Sequence, residues 1–349
     1  MTPSWLSDPI AVPSVVCMAV AKARQEQLTK PRGSLGRLEE MAMLLAGLQD
    51  REYPAADRVG IAIFAADHGV AVAGISPYPQ SVTVEMIRNF SRGGAAINVL
   101  ARMLQARLEV VDVGALLDPG PLPGVVSKRA GAGTRDFRFA PAMTHEEWRS
   151  ALQAGAEAAW RAAEEGCDLF IGGEMGIGNT TSAAALASAL MRKAPELLAG
   201  PGAGLDPVGV ARKVAVIEES LTRHRHVLNN PVEMLIALGG FEIVALVGAF
   251  IAAAQRRIPV LVDGFIASVA ALYATRLRGD VRPWLLFAHE SAEPGHRLVL
   301  DEMQAAPLLR LGMRLGEASG AAVAVPVLRL ACALHREMAT FAEAGISAG

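Results

Sequence analysis

From about residue 58 onward the chain alternates short, continuously apolar, β-branched runs with longer Ala-rich stretches of helical spacing. The runs cover 59–65, 108–113, 168–171, 234–238, 258–262 and 284–287. Runs this short and apolar throughout predict strands of a parallel sheet covered on both faces. Between them, Asp206-Pro207 sets an N-cap residue before a proline at the first helical position, opening a helix that runs to about His224. Thr144-His145-Glu146-Glu147 reads as a capping box ahead of a helix over 148–165. The alternation predicts a doubly wound α/β fold: a mostly parallel six-stranded sheet with helices on both faces. Residues 11–50 and 305–345 show helical spacing without strands, the latter through Leu308, Leu309, Leu311, Leu315, Leu328, Leu330 and Leu334. They predict a small helical domain built from both ends, 1–55 and 301–349, beside a Rossmann-like domain over 56–300. The Pro- and Gly-rich stretch 116–141 reads as a surface loop.

Composition narrows this picture. The chain has 349 residues, 52% hydrophobic but only 5% aromatic, with 34 glycines and 19% charged residues, so it is too poor in charge to be mostly disordered. A formal net charge of -2 and the lack of any run of Lys or Arg argue against a nucleic-acid partner. Mean hydropathy is high, +0.32, and the stretch 234–254 is long enough to span a bilayer. Gly239-Gly240 and Glu242 interrupt it, however, and read better as a strand, a turn and a helix, so no membrane partner is expected. No basic region precedes the first apolar residues as a secretory signal requires. Cys17, Cys167 and Cys332 are far apart, odd in number and free of C-x-x-C spacing, which argues against disulfides and zinc and for a reducing, cytoplasmic compartment.

Polar residues gather after the runs: Asp67-His68-Gly69 after the first, Asp112 within the second, Gly172-Gly173-Glu174 after the third. Gly239-Gly240, Asp263-Gly264 and His289-Glu290 follow the fourth, fifth and sixth. Ligands bind at the carboxyl ends of strands in open parallel sheets, so these positions predict a small-molecule site. The stretch 172–182, Gly-Gly-Glu-Met-Gly-Ile-Gly-Asn-Thr-Thr-Ser, leads into an Ala-rich helix over 183–192. Free amides at a helix start, the helix dipole and the hydroxyls of Thr180, Thr181 and Ser182 suit a phosphate; a tight strand-to-helix turn is the alternative. The Walker lysine is missing, so ATP is not implied. Gly200-Pro201-Gly202-Ala203-Gly204 precedes the helix carrying Lys213 and reads equally as a second phosphate wall or as a linker with a solvated lysine. Glu317, in Leu315-Gly316-Glu317-Ala318-Ser319-Gly320, sits among apolar stretches where ionisation is costly, the setting of a general base. From the residues alone, a loop glutamate at a helix start is the simpler reading. The histidines form no metal motif: His224 and His226 are two apart on a helix, and His68 and His289 either touch a ligand or serve structure. Gly-x-Ser-x-Gly is absent, which disfavours an α/β-hydrolase.

Several segments, in order, carry a more specific signal. They are Lys-Pro-Arg-Gly-Ser-Leu-Gly-Arg-Leu-Glu at 30–39, Ala-Asp-His-Gly-Val at 66–70, Ser-Pro-Tyr-Pro-Gln at 76–80 and Arg-Gly-Gly-Ala-Ala-Ile-Asn at 92–98. The glycine loop 173–181, Leu-Val-Asp-Gly-Phe at 261–265, Ser-Ala-Glu-Pro-Gly-His at 291–296 and the stretch 315–321 complete them. Together they resemble the nicotinate-nucleotide:5,6-dimethylbenzimidazole phosphoribosyltransferase family, which makes α-ribazole phosphate for the lower ligand of cobalamin.

The resemblance implies nicotinate mononucleotide and a benzimidazole as substrates, a cytoplasmic homodimer, and no cofactor. It assigns the phosphate pocket to Gly173, Gly176, Gly178, Asn179, Thr180 and Thr181, with Gly202, Gly204 and Lys213 opposite. Glu174 and Asp263 fall near the ribose, Glu317 matches the general base, and Ser76, Tyr78, Gln80 and Glu85 face the incoming base. In this chemistry nicotinate departs through a neutral ring nitrogen and needs no general acid, while the attacking azole needs one base. No pyrophosphate leaves, so no metal is expected. Pro201, Ala203, Ala318, Glu85 and Glu290 depart from the family pattern and bear on which base is preferred. The same transfer to another azole or a purine, or a non-catalytic nucleotide-binding homologue, are the alternatives.

Overall fold

The structure, a computed structural model, describes residues 3–347. Its sheet contains β1 (Val59–Ala66), β2 (Arg107–Gly114), β3 (Val125–Ser127), β4 (Leu169–Met175), β5 (Val260–Val262) and β6 (Leu285–Phe287). The spatial order is β3-β2-β1-β4-β5-β6, and every neighbouring pair is parallel. The chain steps outward from β1 to β3, then returns to the other side of β1 with β4. That reversal opens a crevice between the carboxyl ends of β1 and β4, where doubly wound folds bind ligands. Register places Phe64 beside Glu174 and Ala65 beside Met175 at that point.

Helices α1 (Val15–Gln27) and α2 (Arg37–Gln49) precede the sheet, and α3 (Ser81–Arg92) and α4 (Ala96–Leu104) join β1 to β2. After β3 comes α5 (His145–Glu164); between β4 and β5 lie α6 (Asn179–Met191), α7 (Pro207–Arg223), α8 (Pro231–Leu238) and α9 (Phe241–Gln255). Then α10 (Phe265–Leu277) joins β5 to β6, and α11 (Pro294–Glu302) and α12 (Ser319–Glu337) follow. Both expected N-caps are present: Thr144 and Glu147 form the capping box of α5, and Asp206 accepts the Gly209 amide at the start of α7.

All eight residues of β1 are buried, as is α9 apart from Gln255. The backbones of α5 and α9 touch: a Cβ added at Gly155 would overlap the Ala245 carbonyl, and one at Gly248 the Leu152 carbonyl. At the ends of the chain, Arg24 of α1 donates to the carbonyl of His335 on α12 at 2.7 Å. Buried Met41 and Leu45 of α2 and Leu328 of α12 belong to the same apolar cluster as the sheet.

Four expectations are corrected. Residues 234–238 are not a strand but the end of α8, whose start is fixed by the Asn230 side chain accepting the Val232 and Glu233 amides ahead of Pro231. The sixth strand is instead β3, in the stretch read as a surface loop, where Val125 and Val126 pair with Val110 and Val111. Residues 308–315 are irregular rather than helical: Pro307 lacks an amide hydrogen, Gly312 has φ +68°, and Leu309 bridges to His289. His224 caps the end of α7, and His226 lies beyond that helix. Among the described residues no helix is long and apolar enough to cross a membrane, since the 234–254 stretch breaks into α8 and α9 at Gly239-Gly240.

Candidate active site

A cavity of about 370 Å³ occupies the crevice. One wall is the turn from β4 into α6, contributing Glu174, Gly176, Asn179 and Thr180. Gly178 caps α6 with φ +99°, a conformation that favours glycine, and no side chain caps this helix start, where the Asn179 amide donates to the Gly176 carbonyl and the Thr181 amide to the Gly178 carbonyl. A second wall is the 200–205 turn, where Gly202 has φ +54° and faces the cavity. Lys213 reaches in behind both walls from α7, its Nζ donating to Thr180 Oγ1 at 3.1 Å and to the Gly200 carbonyl at 2.9 Å. Burial lowers its pKa to about 8, opposed by the carboxylate of Glu293. A lysine buried here, beside a helix N-terminus and a glycine turn, is an arrangement that can take a phosphate.

Four buried carboxylates line the same cavity: Glu174, Asp263, Glu293 and Glu317. Glu174 accepts from the Asn179 side chain. Its pKa is raised well above the usual value, first by desolvation and then by Glu242, Asp263 and Glu317. Asp263, at the end of β5, accepts the Ala321 amide at 2.7 Å and has His289 Nε2 at 3.6 Å. Desolvation raises its pKa, while His289 and backbone amides pull it back. Glu317 stands just before α12, also with its pKa raised by desolvation, and with one carboxylate oxygen buried and free of any hydrogen-bond partner. A carboxylate held this way takes up a proton more readily than one in water, which a general base requires.

The remaining wall is mostly apolar. Val82 and Met86 of α3 meet Phe265, Ile266 and Ala267 of α10, with Tyr78 at the edge. Of the residues singled out from the sequence, Tyr78, Glu174, Gly176, Asn179, Thr180, Gly202, Asp263 and Glu317 line the cavity, as do Ala203, Gly264 and His289. Gly173, Gly178, Thr181, Gly204 and Lys213 lie outside the lining: Gly173 packs against Ala318, Thr181 is buried, and Gly204 has open space around it at φ +118°. Ser76 accepts the Tyr78 amide, Gln80 donates to the His68 carbonyl at 2.8 Å, and Glu85 is exposed on α3 while its neighbour Met86 faces the cavity. Sequence reasoning passed over Val82, Met86, Phe265 and Ile266, because apolar residues on helices look like core. It also passed over Arg314, which donates to the Gly202 carbonyl at 2.7 Å across the cavity mouth, and for which the sequence held no signal. Ser291 and Glu293 follow the last strand and were within reach of the strand-end argument.

A strand-end cavity with an anion cradle, a cluster of carboxylates and an apolar wall is the site of an enzyme acting on a phosphorylated small molecule. Residues 10–346 match the family model described as phosphoribosyltransferase, and the chain belongs to that family. Within it, the chain is 58% identical over 347 residues to the nicotinate-nucleotide–dimethylbenzimidazole phosphoribosyltransferase of Pseudomonas putida strain W619, covering 99% of each chain. It is 56% identical to the enzyme of the same name from Pseudomonas syringae pv. syringae strain B728a, again over 99% of each. The crystal structure of the Thermus thermophilus enzyme of that name superposes with a TM-score of 0.91 at 42% identity, covering 96% of this chain and 100% of the other. The chain is therefore a member of the nicotinate-nucleotide–dimethylbenzimidazole phosphoribosyltransferases.

Proposed function

We propose that the chain transfers the 5-phosphoribosyl group of nicotinate mononucleotide to 5,6-dimethylbenzimidazole, giving α-ribazole 5′-phosphate and nicotinate. The observation that carries this reading is the meeting, in one cavity, of the α6 start and Gly202 backed by Lys213, four buried carboxylates, and the apolar wall of α3 and α10. The cradle suits the 5′-phosphate. Val82, Met86 and Ile266 suit a dimethylated ring better than a purine carrying an exocyclic amine, which would leave polar hydrogens without partners.

In this reaction the bond from C1′ to the pyridinium nitrogen breaks, and its electron pair returns to the ring nitrogen, leaving neutral. The lone pair of one imidazole nitrogen forms the new bond to C1′. The proton on the other imidazole nitrogen passes to Glu317. The positive charge that develops on the ribose falls beside Glu174 and Asp263, whose carboxylates stabilise it. The cytoplasm is the proposed location, supported by three cysteines that are all free among the described residues. The proposed assembly is a homodimer, supported by an exposed valine face on α1.

The test incubates the protein with nicotinate mononucleotide and a panel of benzimidazoles, other azoles and purines, and measures nicotinate release. Release with 5,6-dimethylbenzimidazole is expected, and no release with any base would remove the assignment. Glu317→Ala should lower turnover by roughly 10²- to 10⁴-fold, the usual contribution of a general base. Turnover at the wild-type rate would exclude Glu317 from that role.

A further inference from the structure

Directly behind Gly176, outside the cavity, two titratable residues meet that the reaction above does not use. His68 Nε2 donates to Glu242 Oε1 at 2.6 Å, and neither side chain has any exposed surface. Glu242 is in the first turn of α9, whose other buried residues are all apolar or glycine. A polar pair in such a place costs desolvation that well-packed aliphatic residues would avoid, so its contribution has to be sought in what it holds in place.

The ring of His68 lies in a slot made by backbone from two other segments. A Cβ added at Gly176 would stand 3.4 Å from His68 Nε2, and one at Gly178 would stand 3.2 Å from His68 Cβ. On the far side, a Cβ at Gly240 would overlap the His68 ring and crowd Glu242 Oε2. The backbone around His68 is tied to the base-facing helix as well. Its carbonyl accepts from Gln80, and the adjacent Asp67 accepts Thr83 Oγ1 at 2.7 Å. Thr83 Oγ1 in turn accepts the Ile177 amide at 3.2 Å. The segment 67–68 therefore joins α3 to the turn that carries Asn179 and the first amides of α6.

We propose that His68 and Glu242 are a positioning pair for the nucleotide: locked together by their hydrogen bond, they fix the backbone of residues 176–179 and so aim the phosphate cradle and Asn179. The proposal rests on the assignment of nicotinate mononucleotide as substrate. Neither residue touches the cavity, so both act through Gly176 and Gly178. The hydrogen bond, rather than the charge, does the holding.

The experiment measures kcat, the two KM values and the thermal midpoint for Glu242→Leu, Glu242→Gln and Gly240→Ala in the full-length chain. Glu242→Leu removes the acceptor and should raise KM for nicotinate mononucleotide by about 10- to 100-fold, the scale on which a misplaced positioning group costs an enzyme. KM for the base and kcat should stay within about threefold, because a loosened cradle weakens binding shared by ground and transition states. Glu242→Gln keeps an acceptor oxygen and should restore the nucleotide KM. Gly240→Ala keeps every polar group but pushes the pair toward Gly176, and should raise the same KM; it decides the matter if Glu242→Leu does not fold. An unchanged nucleotide KM in Gly240→Ala, a loss shared equally by both KM values and kcat, or a Glu242→Gln variant as impaired as Glu242→Leu would each overturn the proposal. Failure of the substrate assignment shows separately, as a wild-type enzyme that releases no nicotinate.

Discussion

Glu317 and Ala318 both lie in the left-handed region, at φ 57° and 59°, where a side chain costs about 1–3 kcal/mol. Asp263 and the first turn of α12 hold this bend through the Ala321 amide. Two costs thus meet at one residue, backbone strain and the burial of a carboxylate. The second depends on pH. Burial raises the folded-state pKa of Glu317 above its ordinary 4.5, so the folded protein holds the proton more tightly than the unfolded chain does. As pH rises through the window between the two values, ionising Glu317 takes stability away, and above that window the whole loss is present. Glu317→Gln is expected to raise the thermal midpoint at neutral pH while reducing turnover. The gain should shrink as pH falls toward 4.5, where the wild-type carboxyl is protonated as well. Melting curves of both proteins across that range check it; a variant less stable than wild type at neutral pH would contradict it. The sequence showed Glu317 as a lone carboxylate among apolar neighbours, costly to ionise, but not that Arg314 and Leu315 before it line the same cavity, because residues 308–315 read as a helix are in fact non-helical.

At the scale of elements, the signals that survived are those with a local physical cause. Thr144 with Glu147 and Asp206 with Pro207 each satisfy helix amides within one turn, so they mark α5 and α7 without reference to the rest of the fold. The misread elements depend on context. A short apolar run serves equally as a buried strand or as a helix end, and only Asn230-Pro231 told 234–238 from a strand. The three-residue β3 sits at the sheet edge, partly exposed, in a stretch of turn residues that hid it. In the site, glycines and carboxylates at strand ends were legible, whereas the wall of Val82, Met86 and Phe265 looked like any other core. The α5–α9 contact gives a test of packing at this scale. Alanine usually stabilises a helix interior over glycine by about 1 kcal/mol. At Gly155 the added methyl would overlap the Ala245 carbonyl, and backbone cannot swing aside as a side chain can. Overpacking of this kind costs about 1–3 kcal/mol, so Gly155→Ala should lower the thermal midpoint. A rise would show that the two helices are not in contact as described.

On the scale of the whole molecule, α1 is the element whose sequence fits the fold of a lone chain least well. It buries only Ala21 and Gln25, yet Val15 and Val16 at its start are 73% and 67% exposed, with Val12 just ahead at 80% and Val20 one turn further at 40%. It packs on α2, where Met18 lies against Gly47, and is tied to α12 by Arg24 and Gln25. The exposed valines contribute little to the fold, and the proposed second subunit would cover them. Burying such a side chain is worth up to about 1.5 kcal/mol, so four on each of two subunits are enough to weigh on an association equilibrium. They do not by themselves make up the roughly 800 Å² per partner of a stable interface. If the dimer forms across this face, sedimentation equilibrium at tens of micromolar should give twice the 36.6 kDa of one chain. Val12→Lys with Val16→Lys should then give the single-chain mass with an unchanged far-ultraviolet circular dichroism spectrum. A wild-type protein that sediments at the single-chain mass would remove the dimer. A doubly substituted protein that still sediments at twice that mass would leave the dimer standing and move its interface away from α1, toward the exposed Met103 and Leu330.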